Sequence, residues 1–403
     1  MKRKILSLAA SLLALLVVAP AQAQTMATFS VTASGTNPTV DSAIAFTTSI
    51  WEKYLVSTQP IKVNIFFWDL TSAGPLGITF PNGRRDFASA PLDSIWYPSC
   101  LANAISASET NPGESDIDIY MNASSTINWY FGTDANPSSG QYDFVSVLLH
   151  EIGHGLGFLS LAKSTSGNGS LGYLTSSDFF PLSPSFPWPD LQGKPSIYDY
   201  YIETTAGDHV ADTSLYPNPG TALHGAFTSN GLWFNAPKSY AANSNVRVRL
   251  HAPTTFALGT SITHLNESTF PASNPSTLMT PFISKGEINH DPGPVTLGIL
   301  EDIGWTISYP IAVDDAAPSL HLQAFPNPCV DQLHLRFTSD GTPTRITVMD
   351  AQGRSLESWE VNAPAGTSGI TWDASDLATG FFLVRVENDK GAVVKKVVKA
   401  LEE

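Results

Sequence analysis

The residues best suited to chemistry lie together in Ser146–Phe158, SVLLHEIGHGLGF. His150 and His154 are four apart. On a helix they lie one turn from each other on the same face, so both imidazoles reach a single cation. Glu151 flanks that face, where its carboxylate can take a proton from a metal-activated water. Two histidines and a glutamate at this spacing point to one catalytic Zn2+ and to hydrolysis, with Glu151 as general base and then general acid.

Such a trio needs a rigid helix beneath it. Asp143 is placed to cap one, and Phe144, Val147, Leu148 and Ile152 recur at helical spacing on the side to be buried. Gly153, Gly155 and Gly157 each cost roughly 1 kcal/mol against alanine inside a helix. The helix should therefore stop and turn just after its second ligand, with Gly157 a structural residue beside the site. Upstream, Ser42–Val56 has helical spacing with Asp41 as its cap, and Ile61–Leu70 reads as a central strand. Ser115–Met121 alternates Asp116, Asp118 and Tyr120 with Ile117, Ile119 and Met121, which predicts a strand with one buried face and both aspartates on its wet face. A calcium site is the lesser alternative for these aspartates, and nothing else in the pattern supports it. Helix, strands and then the metal helix make an α+β order.

The two ends of the chain read differently from its middle. Lys2, Arg3 and Lys4, then the apolar Ile5–Val18 and Ala21-Gln22-Ala23, form a signal-peptide pattern over residues 1–23. Without those three cations the formal charge moves from −15 to −18. So acidic a surface argues against nucleic acid and anionic membrane as partners. No stretch after residue 23 is apolar for long enough to predict a transmembrane segment. Only Cys100 and Cys329 are present, so disulfides are not expected to hold the fold. The region 159–200 is rich in Gly, Ser and Pro, notably over Thr165–Gly172 and Ser183–Pro195, and carries Phe179, Phe180, Phe186 and Trp188. It reads as an insertion, within which Asp199 reads as structural.

A catalytic zinc normally takes three protein ligands. In the compact pattern H-E-x-x-H-x-x-G-x-x-H the third would fall on Ser160, whose hydroxyl is a poor ligand. No glutamate lies between Glu151 and Glu203. The candidates that remain are His209, His224, His251, His264 and His290. His264 stands in SITHL, with Leu278-Met279-Thr280-Pro281 shortly after it, and His290 sits on a turn before the last helical stretch. HEIGHGLGF, a long insertion, a histidine, then LMTP and LGILEDIGW together resemble the leishmanolysin branch of the metzincins. That resemblance implies an α+β zincin fold over residues 24–311. It also implies His150, His154 and His264 as metal ligands, Glu151 as the catalytic residue, Met279 as the methionine of a turn beneath the metal, and Leu297–Ile303 as the closing helix. The cysteine-rich framework of leishmanolysin is absent.

Ala312–Pro318 reads as a linker. Beyond it, strands are expected at Gln332–Phe337, Arg345–Met349, Gly380–Val386 and Val393–Val398, with turns at Asp340-Gly341 and Gln352-Gly353. They suggest a small Ig-like β-sandwich over residues 319–403. FPNP at Phe325–Pro328, ITVMDAQGRSL, ATGFFLVRV and the terminal VVKKVVK resemble the type A C-terminal sorting domain of type IX secretion. This implies outer-membrane secretion machinery as a partner, and export through the periplasm of a Gram-negative bacterium to the surface or beyond. The whole reads as a secreted zinc metalloendopeptidase acting on protein or peptide substrates. The competing expectation is a surface binding or adhesion protein on a degenerate metzincin scaffold.

Overall fold

The structure is a computed structural model describing residues 25–71, 74–179, 182, 191–309, 320, 322–350, 354–375, 377–389 and 391–400. The signal-peptide pattern, the linker, Phe180, Phe186, Trp188 and the Gln352-Gly353 turn lie outside the described residues. The chain divides into two compact units between Ser308 and Tyr309.

The first unit is α+β. Its main sheet runs Phe29–Ala33, Ile61–Trp68, Ile117–Asn122, Gly77–Pro81, with the first three strands parallel and the last antiparallel at the outer edge. Val63 pairs with Ile117, Ile65 with Ile119, and Ile119 in turn with Thr79. Helix Pro38–Glu52 and helix Phe144–Gly155 pack together in the same apolar core as Val63, Ile65, Ile117 and Ile119. Trp51 Nε1 donates to the Leu149 carbonyl at 3.2 Å, fixing one helix on the other. A separate cluster gathers Phe80, Trp96, Tyr120 and Leu161, with Phe66 stacked on Tyr120 at 4.9 Å.

That second cluster corrects the reading of Asp116 and Asp118. Neither is on a wet face: they are 1% and 3% exposed, and the whole strand Ile117–Asn122 is buried. A central strand with covering on both faces must pair its polar side chains internally. Asp116 accepts from Lys62 N at 2.9 Å and Ser99 Oγ at 2.7 Å, while Asp118 accepts from Asn64 Nδ2 at 3.0 Å and Ser115 Oγ at 2.7 Å. The first helix also starts earlier than expected. Its cap is Asn37, which accepts from Thr39 N and Val40 N, and Pro38 opens the helix; Asp41 sits inside the first turn. Proline at the first helical position costs nothing there, because that N–H has no helical partner.

After helix Phe144–Gly155 the chain forms a hairpin, Ala162–Thr165 with Asn168–Leu171, within the stretch read as an insertion. A three-stranded antiparallel sheet and short helices Thr221–Phe227 and Pro237–Ala242 follow. Helix Gly293–Ile303 closes the unit. Beyond it Trp305 Nε1 donates to the Leu156 carbonyl at 2.8 Å, and Thr306–Ile307 pairs with Leu55–Val56.

The second unit is all β, with antiparallel sheets of three and four strands sharing one core of Leu333, Leu335, Phe337, Ile346, Val348, Trp372, Val384, Val386 and Val397. Ser355–Val361 and Gly366–Asp373 are additional strands that periodicity did not reveal: the first is exposed almost throughout, and the second is rich in Gly and Thr. Asn327 ties the FPNP segment to the last strand, its Oδ1 accepting from Val398 N at 2.8 Å and its Nδ2 donating to the Lys396 carbonyl at 3.0 Å. Cys100 and Cys329 are free and buried in separate units. Because the two cores are separate, a chain ending at Ser308 should fold by itself. It should show one cooperative unfolding transition with native-like circular dichroism, and loss of that transition would make the tail part of the first unit's core.

Candidate metal centre

The metal helix is built as its sequence requires. Asp143 accepts from Ser146 N at 2.8 Å and Ser146 Oγ at 2.7 Å, a cap worth about 0.5–2 kcal/mol. It accepts a third hydrogen bond from His290 Nε2 at 2.7 Å. His290 is thus tied to the N-terminus of the metal helix, with Phe46 edge-on at 5.7 Å, and neither reaches the metal-site histidines nor caps the last helix, whose N-cap is Pro292. At the other end the helix stops at Gly155, and Gly157 takes φ +118, a conformation that favours glycine.

Three imidazoles meet at one point. Nε2 of His150 lies 2.9 Å from Nε2 of His154, and Nε2 of His264 lies 3.2 Å from each. The opposite nitrogen of every ring faces a main-chain carbonyl: Nδ1 of His150 meets Leu278 O at 2.6 Å, that of His154 meets Phe158 O at 2.8 Å, and that of His264 meets Thr260 O at 2.9 Å. A carbonyl only accepts, so each Nδ1 carries the proton and each Nε2 presents a lone pair. Burial disfavours charging these rings. It holds His150 down at about 4 and His154 at about 3, the neighbouring His150 adding to the latter, and keeps His264 well below its ordinary value. At neutral pH three uncharged rings therefore aim lone pairs at each other, and no proton relieves the contact.

A cation does. Three nitrogens at roughly 2.0–2.1 Å from a tetrahedral zinc stand about 3.3 Å apart, and the observed spacings fall just inside that. Neutral imidazole is a zinc donor of the right softness, and the outer hydrogen bonds to carbonyls fix its tautomer. The donor set fits zinc. Among the described residues it is the one cluster of three or more His, Cys, Asp or Glu side chains able to hold a metal ion.

The other candidates lie elsewhere. His209 faces Glu203 at 3.6 Å, His224 shares a hydrogen bond with Ser164 Oγ at 2.7 Å, and His251 lends its backbone N–H to the His264 carbonyl. Ser160 donates its hydroxyl to Asp199 at 2.6 Å and its backbone N–H to Thr263 Oγ1 at 2.9 Å, so it braces the segment that carries His264. Asp199 is fully buried and also accepts from Leu161 N and Ser196 N, a structural role. Met279 is fully buried under the helix: a Cβ on Gly153 would stand 2.8 Å from its Sδ. Truncating such a side chain to alanine costs about 2–5 kcal/mol.

Glu151 is 5% exposed, and burial pushes its carboxyl up to about 7, with the Thr79 hydroxyl opposing. A divalent cation alongside would draw it down again. A cleft of about 900 Å³ opens over this group, lined among others by Trp68, Thr79, Glu151, Leu159, Leu258 and Phe282. The three carbonyls that orient the histidines had no signal in the sequence, because main-chain acceptors leave no residue-type signature, and Thr79 is an ordinary strand residue there.

The comparisons with known proteins speak mainly to the other unit. A family described as secretion system C-terminal sorting domain matches residues 323–400. The tail is a sorting domain. It directs export by type IX secretion, to the surface of a Gram-negative cell or beyond. No helix among the described residues is long and apolar enough to cross a membrane. A second family, described as SPBPB7E8-like, matches residues 94–168, a span that contains the metal helix. No curated protein matches the chain. Among solved structures, dimeric latent PorU from Porphyromonas gingivalis is 22% identical over 21% of this chain, at TM-score 0.19. The match spans 9% of PorU's length. CopC from Methylosinus trichosporium OB3b is 21% identical over 21% of this chain and 97% of its own, at TM-score 0.15. At these scores neither likeness carries an argument about the fold.

His264→Ala should lower zinc affinity sharply while circular dichroism barely changes. The matching changes at His209, His224, His251 and His290 should leave zinc in place. Zinc stoichiometry after dialysis against a moderate chelator is the measurement. Retention of metal by His264→Ala with loss by any of the others would refute the assignment.

Proposed function

We propose that the first unit is a secreted zinc-dependent endopeptidase of the leishmanolysin-like metzincin type. One observation carries the reading: three Nε2 lone pairs, locked by backbone hydrogen bonds, converge beside a buried glutamate at the floor of an open cleft. His150, His154 and His264 would hold a zinc ion, which would supply Lewis-acid polarisation of a carbonyl and ease ionisation of water. The chain's own residues do the rest. The Glu151 carboxylate takes a proton from the attacking water and passes it to the leaving amine. Three imidazoles without charge leave a cation's full charge to act on the substrate.

The metzincin type is supported by the order of the parts. A histidine far downstream joins the helical pair, Met279 lies beneath the helix, and helix Gly293–Ile303 closes the unit. A peptide as substrate is supported by the cleft, whose size and largely apolar lining, with polar groups near the histidines, suit side chains of an extended chain.

Glu151→Gln preserves shape and removes the base. The variant should keep its zinc and lose peptide hydrolysis by about 10²-fold or more, scored by digesting a broad peptide library beside a zinc assay. Near wild-type turnover would end this mechanism. If wild type and variant are equally inert while both bind a surface or matrix ligand, the adhesion reading replaces it.

A further inference from the structure

The Glu151 carboxyl is held asymmetrically, by a strand outside the helix that bears it. Strand Gly77–Pro81 is the outer antiparallel strand of the main sheet, and side chains two apart on a strand share a face. Gly77 and Thr79 both meet the metal helix. Thr79 Oγ1 lies 2.6 Å from Glu151 Oε2 and 3.0 Å from the Glu151 carbonyl oxygen. The hydroxyl has one proton, and the shorter contact is to the carboxylate, so Thr79 donates to Oε2. At Gly77 a Cβ would stand 2.5 Å from Oε1 and 2.7 Å from Cδ of Glu151. No side chain fits there unless the carboxyl moves. Oε1 takes no hydrogen bond from the described residues, and it faces a space that glycine alone leaves clear.

We propose that Gly77 and Thr79 are the positioning residues of the acid–base group, assigning its two oxygens different tasks. Oε2 is the anchored oxygen, held by the Thr79 hydroxyl. Oε1 is the working oxygen, which accepts the proton of the attacking water and returns it to the leaving nitrogen, so that the carboxyl ends each cycle as it began. This rests on the endopeptidase reading. It adds that the aim of the carboxyl is set by the edge strand and not by the helix that bears it. A freely rotating carboxyl would present either oxygen, and misplacement by about 1 Å is enough to cost roughly 10²-fold in rate.

The test uses the full zinc-loaded chain. Thr79→Val keeps the side chain's shape and removes the donor, Thr79→Ser restores it, and Gly77→Ala leaves the donor but crowds Oε1. Thr79→Val and Gly77→Ala should each lower kcat about tenfold or more with KM within about threefold of wild type, the pattern of an interaction made in the transition state. Thr79→Ser should recover kcat to within about threefold. Zinc content should stay at one per chain in all three. Crystal structures, independent of activity, should find the carboxyl rotated in Thr79→Val and displaced in Gly77→Ala. Wild-type kcat in Thr79→Val, failure of serine to rescue, or an unmoved carboxyl in both variants would overturn the assignment while wild-type cleavage left the endopeptidase reading standing. A zinc-loaded wild type that cleaves no peptide would overturn both.

Discussion

Three imidazoles directing their Nε2 lone pairs at one point is the constraint on which the rest of the first unit depends. Each Nε2 is an acceptor that faces two more acceptors. The rings cannot turn away from it. Their Nδ1–H groups are engaged by carbonyls from three separate segments: the turn after the metal helix, the loop before His264, and the turn that carries Met279. Much of the first unit serves to bring those segments together. The buried Asp199 and Ser160 hold the strand after the helix, Trp305 fastens the closing helix to the end of the metal helix, and Met279 fills the space beneath Gly153.

The parts of this legible in the sequence were those written in side-chain type and short spacing. His150, Glu151 and His154 fall on one helix because four residues make a turn, and Asp143 starts that helix because a carboxylate there satisfies free N–H groups. The apolar runs of the central strands could be read directly. What could not be read was burial of a polar alternation. Ser115–Met121 has the pattern of a half-wet strand, yet a second apolar cluster covers its other face, and Asp116 and Asp118 turn inward to backbone and side-chain donors. Nothing local to the strand announces that cover, which is assembled from residues as distant as Leu161 and Leu191.

His264 shows the same limit from the other side. It is over a hundred residues from its partners, and local context did not separate it from four other histidines; the resemblance to a known order of motifs did. The structure distinguishes them by distance alone. Thr79 and Gly77 lay below notice altogether, since a threonine and a glycine in a strand are ordinary. Their relevance comes from register, which sets Thr79 opposite Ile119 and so beneath the carboxyl of Glu151.

The acceptors behind the three histidines are all main-chain oxygens, and every amino acid has one. Where a metal histidine leans on an aspartate, a single codon change can delete the support outright. Here no substitution at Phe158, Thr260 or Leu278 removes the oxygen, and such changes act only through local geometry. The inherited target of this candidate centre therefore shrinks to the three histidines themselves. The side chains at Phe158, Thr260 and Leu278 can change while the three rings stay aimed, provided the backbone path survives.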